Sequence, residues 1–183
     1  MVPAPILTTD EYLRTPESLL PTELAFGVLR VAEAPRVRHQ QAVGAFYLHL
    51  VQHVRERHLG EVLLSPLDVV LDRERALVVQ PDLLFISNER AHIARERVVG
   101  APDLVLEVLS PNPRVGALQE RLAWFVRYGV REIWLLHQNE ERFEVVHAGE
   151  GRVARRQSLD YLTPIVSDVL PDFRMPVGHI VLR

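Results

Sequence analysis

The chain contains no lysine and no cysteine. All 21 of its basic side chains are therefore arginines, and no lysine amine takes part in its chemistry. A guanidinium holds its charge permanently in a protein. The missing cysteine excludes disulfides and thiolate metal sites. No apolar run reaches the length of a membrane span. The start, Met1-Val2-Pro3-Ala4-Pro5, lacks a basic region and a long apolar stretch, so no signal peptide and a cytoplasmic location are expected. A Gly-x-Ser-x-Gly elbow, a Gly-x-Gly-x-x-Gly loop and a Walker loop are all missing. Net charge is only −3, so no global basic field advertises nucleic acid. Any such contact rests on local patches.

What is present is globular in composition, with 48% hydrophobic and 25% charged residues over 183 positions. That length predicts one domain spanning residues 1–183 with a real core. Thr8-Thr9-Asp10-Glu11 has capping-box spacing and opens a short helix to about Arg14, stopped by Pro16. Glu23 to Val31 reads as two short strands around Gly27. Val43, Phe46, Leu50, Val51 and Val54 recur at helical spacing from about Arg38 to His58, with Gly60 ending the helix. Val62–Leu64 and Leu67–Leu71 read as strands, and Leu77–Ile86 continues the sheet. Asn88–Arg95 reads as a short helix. Asp103–Leu109 is a nearly continuous apolar run, as in a strand buried on both faces. A second helix covers about Ala117 to Tyr128 and ends at Gly129. Glu132–Leu136, Arg142–His147 and Arg152–Gln157 alternate like a hairpin with an added strand. The tail from Ser158 is punctuated by proline and reads as poorly defined.

Two acids stand out because they sit in core-strand sequence, where an unpaired charge is costly. They are Asp82, in Pro81-Asp82-Leu83-Leu84-Phe85-Ile86, and Glu107, in the strand that begins near Asp103. Carboxylates are hard oxygen ligands suited to Mg²⁺ or Mn²⁺. Asp103 and Glu107 share a strand face but lie roughly 13 Å apart along it, too far to share an ion. If the Asp82 strand neighbours the Glu107 strand, those carboxylates come within roughly 5 Å. Two carboxylates that close need a cation between them or a retained proton. The alternative is two strand-end acids, one at a turn and one paired with an arginine.

Other candidates carry their own alternatives. His39 keeps phase with Val43, Phe46 and Leu50, so it faces the sheet near a helix N-terminus. There it can meet a phosphate or a metal-bound water, or be a satisfied, partly buried histidine. His49 and His53 have zinc-pair spacing, but Leu50 stands where a zinc protease needs Glu; they read as surface histidines. Arg121 falls inside the apolar stripe of Leu118, Leu122 and Phe125. A guanidinium there has an anionic partner or snorkels to water. The groups Arg36, Arg38, Arg55, Arg57 and Arg152, Arg155, Arg156 can contact phosphates or be merely solvated.

Taken in order, these residues resemble a known family. Glu23-Leu24 with Gly27 comes first, then His39 opening a long helix, then Gln80-Pro81-Asp82. Gly100-Ala101-Pro102-Asp103-Leu104-Val105-Leu106-Glu107-Val108-Leu109-Ser110-Pro111 follows, and Tyr128-Gly129-Val130-Arg131-Glu132-Ile133-Trp134 closes the series. From about Thr8 to Leu170 the chain resembles the Uma2 family, whose members resemble restriction endonucleases of the PD-(D/E)xK type. The resemblance implies an α/β (α+β) fold: a restriction-endonuclease-like mixed central β-sheet flanked by helices, with extra β-hairpins. It implies Asp82 and Glu107 as ligands of Mg²⁺ (or Mn²⁺), with the main-chain carbonyl of Val108 as a third. His39 and Glu23 would sit at the pocket edge.

Two departures bear on activity. The nuclease motif has a lysine two residues after its Glu, where this chain has Leu109. The family commonly moves that lysine to the following helix, about where Arg121 stands, and often has an Asp where this chain has Ala117. The leading expectation is a metal-dependent endonuclease acting on DNA phosphodiesters, with Asp82, Glu107, Arg121 and His39 as catalytic residues. DNA and a second copy of the chain, as a homodimer or higher homo-oligomer, are the expected partners, with no membrane. A second reading is a weak or inactive nuclease-fold protein serving as a nucleic-acid-binding or assembly module. A third is a structural oligomer whose acids pair with arginine.

Overall fold

The computed structural model describes residues 6–16, 20–32, 34–109 and 118–181. Met1–Pro5, the Ser110-Pro111 pair and the expected helix start at Ala117 lie outside them.

Helix α1 (Thr9–Leu13) opens on a capping box: Glu11 N–H donates to Thr8 Oγ1, and Thr8 N–H donates to Glu11 Oε2. Strands β1 (Thr22–Ala25) and β2 (Val28–Val31) form a hairpin. The long helix α2 (Val37–Glu56) buries Ala42, Val43, Phe46, Leu50 and Val54. Its terminator is His58, not Gly60. His58 takes φ +53°, its N–H reaches Arg55 O, and Leu59 N–H reaches Val54 O, the paired bonds of a Schellman cap. Gly60 instead opens β3 (Gly60–Leu64), where a Cβ would stand 2.0 Å from Ile86 O.

The segment expected to run on from Leu77 to Ile86 is divided. After β4 (Val69–Asp72), β5 (Leu77–Val79) belongs to one sheet and β6 (Leu83–Ser87) to another. Pro81 explains the break, since it has no N–H to give to a ladder. A 3₁₀ turn (Asn88–Ile93) and β7 (Val98–Val99) lead into β8 (Leu104–Leu109). Helix α3 (Leu118–Tyr128) ends at Gly129, which takes φ +98°. Strands β9 (Glu132–His137), β10 (Arg142–Gly149) and β11 (Arg152–Asp160) follow as a meander. The tail is ordered, against expectation: β12 (Pro164–Val166) pairs with β13 (Arg174–Pro176), and α4 (Val177–Val181) follows. Pro164 and Pro176 face each other in this two-stranded ladder, where a missing donor is tolerated.

The central sheet has six strands in the order β11-β10-β9-β8-β6-β3, with β8 and β9 parallel and the other pairs antiparallel. One face carries α2 and the tail, packed through Phe46, Leu106, Val108, Trp134, Phe143, Phe173 and Ile180. The other face carries α3 and a five-stranded sheet, β2-β1-β5-β4-β7, through Val79, Leu84, Val105, Leu122 and Phe125. Beyond that second sheet, α1 packs Tyr12 against Leu24, Val70 and Val78. This is a mixed central sheet flanked by helices, with added hairpins. Among the described residues, no helix is long and apolar enough to cross a membrane.

Candidate active site

The cleft lies where β6 begins and β8 ends. Strand β6 pairs antiparallel with β8 in the register Leu83↔Leu106 and Leu84↔Val105. Continued by one residue, that register sets Asp82 opposite Glu107. Directly opposed residues share a sheet face, here the face of α3. Asp82 is fixed by its Oδ2, which accepts the Val108 main-chain N–H at 2.7 Å. A strand residue's N–H and C=O point to the same side, so the Val108 carbonyl also faces the β6 side. His39, in the first turn of α2, brings Nε2 to 3.2 Å from the same Asp82 oxygen.

Arg121 enters from α3. Its Nε lies 2.8 Å from Glu107 Oε1 and its Nη1 2.7 Å from Glu23 Oε2, with the side chain only 10% exposed. The guanidinium stacks over Phe125, with 5.3 Å from Cζ to the ring centroid. Glu23 also accepts the Gln80 N–H on its other oxygen. It therefore joins the second sheet to the residue two before Asp82. One cation thus holds two buried acids, and desolvation of all three is offset by mutual hydrogen bonds.

The electrostatics follow from this burial. Desolvation pushes the Glu107 carboxyl up to about 8, with Asp82 and Glu23 adding repulsion and Arg121 opposing it. The same acids hold the Arg121 guanidinium above its ordinary range, against desolvation. The residues present suit a divalent cation. Among the described residues, no hydrogen bond engages Asp82 Oδ1 or Glu107 Oε2. Both are hard oxygen donors beside a main-chain carbonyl.

Other candidates lie elsewhere. Asp103 caps the far end of β8, where its carboxylate accepts Ser87 N–H at 2.8 Å and meets Arg131 at 3.1 Å. His53 is not a plain surface residue: Nε2 lies 2.9 Å from Pro171 O, and its ring packs edge-on against Phe173. Arg38 donates to Gln138 O, Arg155 meets Asp168, and Arg156 meets Glu144. Those arginines serve internal contacts.

The sequence profile of Uma2, described as "Putative restriction endonuclease", matches residues 9–178. The chain belongs to the Uma2 family. A solved structure described as a "putative nuclease belonging to DUF820 from Anabaena variabilis" shares its fold, with a TM-score of 0.80 at 16% identity, over 96% of this chain and 98% of that one. No curated protein matches the chain. The Uma2 profile spans every residue of the cleft, from Glu23 to Arg121. The family resemblance implied Glu23 at the pocket edge, without its double role. A residue whose two oxygens serve two elements far apart in the chain leaves no local pattern. A second polar group, Glu132, His147 and Asp168, was missed altogether. Asp168 is in the tail, 36 residues beyond Glu132, where no periodic signal reaches.

Proposed function

We propose that this Uma2 chain is a metal-dependent endonuclease that hydrolyses DNA phosphodiester bonds. The observation that carries this reading is the β6–β8 register, which continued by one residue sets Asp82 opposite Glu107, with Arg121 bonded to Glu107. Asp82, Glu107 and the Val108 carbonyl would hold Mg²⁺ or Mn²⁺. Such an ion lowers the pKa of a water and neutralises charge on a scissile phosphate. Arg121 stays positive at every working pH, so its part is electrostatic: it orients Glu107 and faces the charge that builds on the phosphate. It cannot accept a proton. His39 holds Asp82 in place from the α2 side and orients water or phosphate at the cleft mouth.

A second reading has its own support. Arg121 is already engaged by both Glu107 and Glu23, as a purely structural cation would be. On that reading the chain is a weak or inactive nuclease-fold protein that binds nucleic acid or assembles with partners. Plasmid nicking in Mg²⁺ and Mn²⁺, with DNA binding measured beside it, separates the two. Nicking that disappears in Asp82→Ala supports the endonuclease. Binding without nicking selects the second reading. Neither binding nor nicking sinks the endonuclease and leaves only the assembly role.

A further inference from the structure

We propose that Glu132, His147 and Asp168 form a site for a first-row transition dication such as Zn²⁺, clipping the C-terminal tail to the central sheet. Glu132 opens β9 and pairs with Leu104 at the start of β8, whereas Glu107 pairs with Leu135 further along. The site is therefore at the opposite end of the sheet from the cleft, and the proposal does not depend on the nuclease reading.

One ligand atom from each residue lies within 4.8 Å of the others. His147 Nδ1 is 2.8 Å from Asp168 Oδ2 and 3.4 Å from Glu132 Oε2. Four ligands at about 2.0–2.1 Å around one ion stand roughly 3.4 Å from each other, so little movement is needed. The His147 side chain is 7% exposed, and its Nδ1 is buried without a hydrogen bond. That nitrogen faces two carboxylates, with Asp168 at ion-pair distance. Glu132 is itself oriented: Oε1 accepts Trp134 Nε1–H at 2.6 Å and Oε2 accepts Asp168 N–H at 2.8 Å. Such outer bonds fix a ligand's direction. An imidazole nitrogen with two carboxylates favours a transition dication over Mg²⁺ or Ca²⁺.

One neighbour opposes the ion. Arg155 Nη2 lies 2.9 Å from His147 Nε2 and 3.2 Å from each Asp168 oxygen. An ion on Nδ1 obliges the ring proton to sit on Nε2, donor against donor with the guanidinium. Arg155 is 48% exposed, so it can swing into solvent. Arginine and the dication then compete for the same carboxylate, and removing the arginine tightens the site.

The test uses the untagged full chain carrying Asp82→Ala, which disables the cleft. Co²⁺ serves as a visible-absorbing stand-in and Zn²⁺ as its competitor. One equivalent of Co²⁺ should give a visible band that Zn²⁺ abolishes. Adding Asp168→Asn, a change at a 60% exposed side chain, should weaken binding by at least about the tenfold expected from losing even a supporting partner. Arg155→Gln should strengthen it. Absence of the band, or a band of equal affinity with and without Asp168→Asn, overturns the proposal and leaves a cluster held by protons alone.

Discussion

Asp82 accepts the main-chain N–H of Val108 on Oδ2 at 2.7 Å. The acid ahead of β6 is thus held by the residue after Glu107. Placement of the pair follows from backbone register rather than from two independent rotamers. With Oδ2 committed to Val108 and His39, Oδ1 remains for the cleft. Groups fixed before a ligand arrives cost no reorganisation when it does.

Mg²⁺ should raise the melting temperature of the parent chain, because an ion that binds only the folded state stabilises it by mass action, about 2.7 kcal/mol at a hundredfold excess over Kd. Asp82→Ala should lose that response. Thermal melts with and without Mg²⁺ check this. An undiminished response in the variant places the ion elsewhere.

Glu107 gives the cleft a pH dependence of known sign. Its carboxyl is raised in the fold from 4.5 to about 8. Between those values the folded chain keeps a proton that the unfolded chain has released, so stability falls as pH rises. The contribution is complete below 4.5 and lost above about 8. Chelator-treated parent should therefore lose melting temperature across this window more steeply than Glu107→Gln. Metal binding reverses the trend, because the ion displaces the proton. Parallel pH–melting curves for parent and Glu107→Gln would falsify the shift.

Periodicity made most of the fold legible. The stripe of α2, the nearly continuous apolar run of β8 and the alternation of β9 and β10 all report burial by the regular repeats of helix and strand. Strand parity also bears on Asp82 and Glu107, because the pair sits one step past a regular ladder. What escaped was set by tertiary contact. His58 closes α2 in a conformation usually left to glycine. Pro81 sends β5 and β6 to different sheets. The tail is ordered by burying Phe173 and Ile180 against α2 and Trp134, which no tail-local pattern announces. Glu23 and Asp168 act on residues far along the chain, so their roles appear only in three dimensions.

Gly44 sits inside α2, where a Cβ would meet nothing within 4 Å. Glycine in a helix interior is less stable than alanine by about 0.5–1 kcal/mol. Gly44→Ala should therefore stabilise the chain by that amount with nuclease behaviour unchanged. Gly60→Ala should do the reverse, since its Cβ would collide with Ile86 O. Chemical denaturation of both variants decides. Destabilisation by Gly44→Ala means that something packs against that face of the helix.

Arg121 is where activity and stability part. It holds Glu107 and Glu23 from a side chain only 10% exposed. Arg121→Ala leaves two buried acids without their cation, a loss of about 3–5 kcal/mol. It should also reduce Mn²⁺-supported nicking by roughly a hundredfold or more, as when one preorganised electrostatic group is removed. Arg121→Lys separates two roles. A lysine keeps a positive charge but loses the two-pronged hold on both acids. If the cleft needs only fixed charge on the phosphate, Arg121→Lys should nick about as the parent does. If it needs an amine that can release a proton, Arg121→Lys should nick faster, since arginine cannot do so. The measurements are plasmid nicking by the three proteins at matched folded fraction, with melts to establish that fraction. Equal nicking by parent and Arg121→Ala would show that Arg121 ties Glu23 to Glu107 and does nothing to the phosphate.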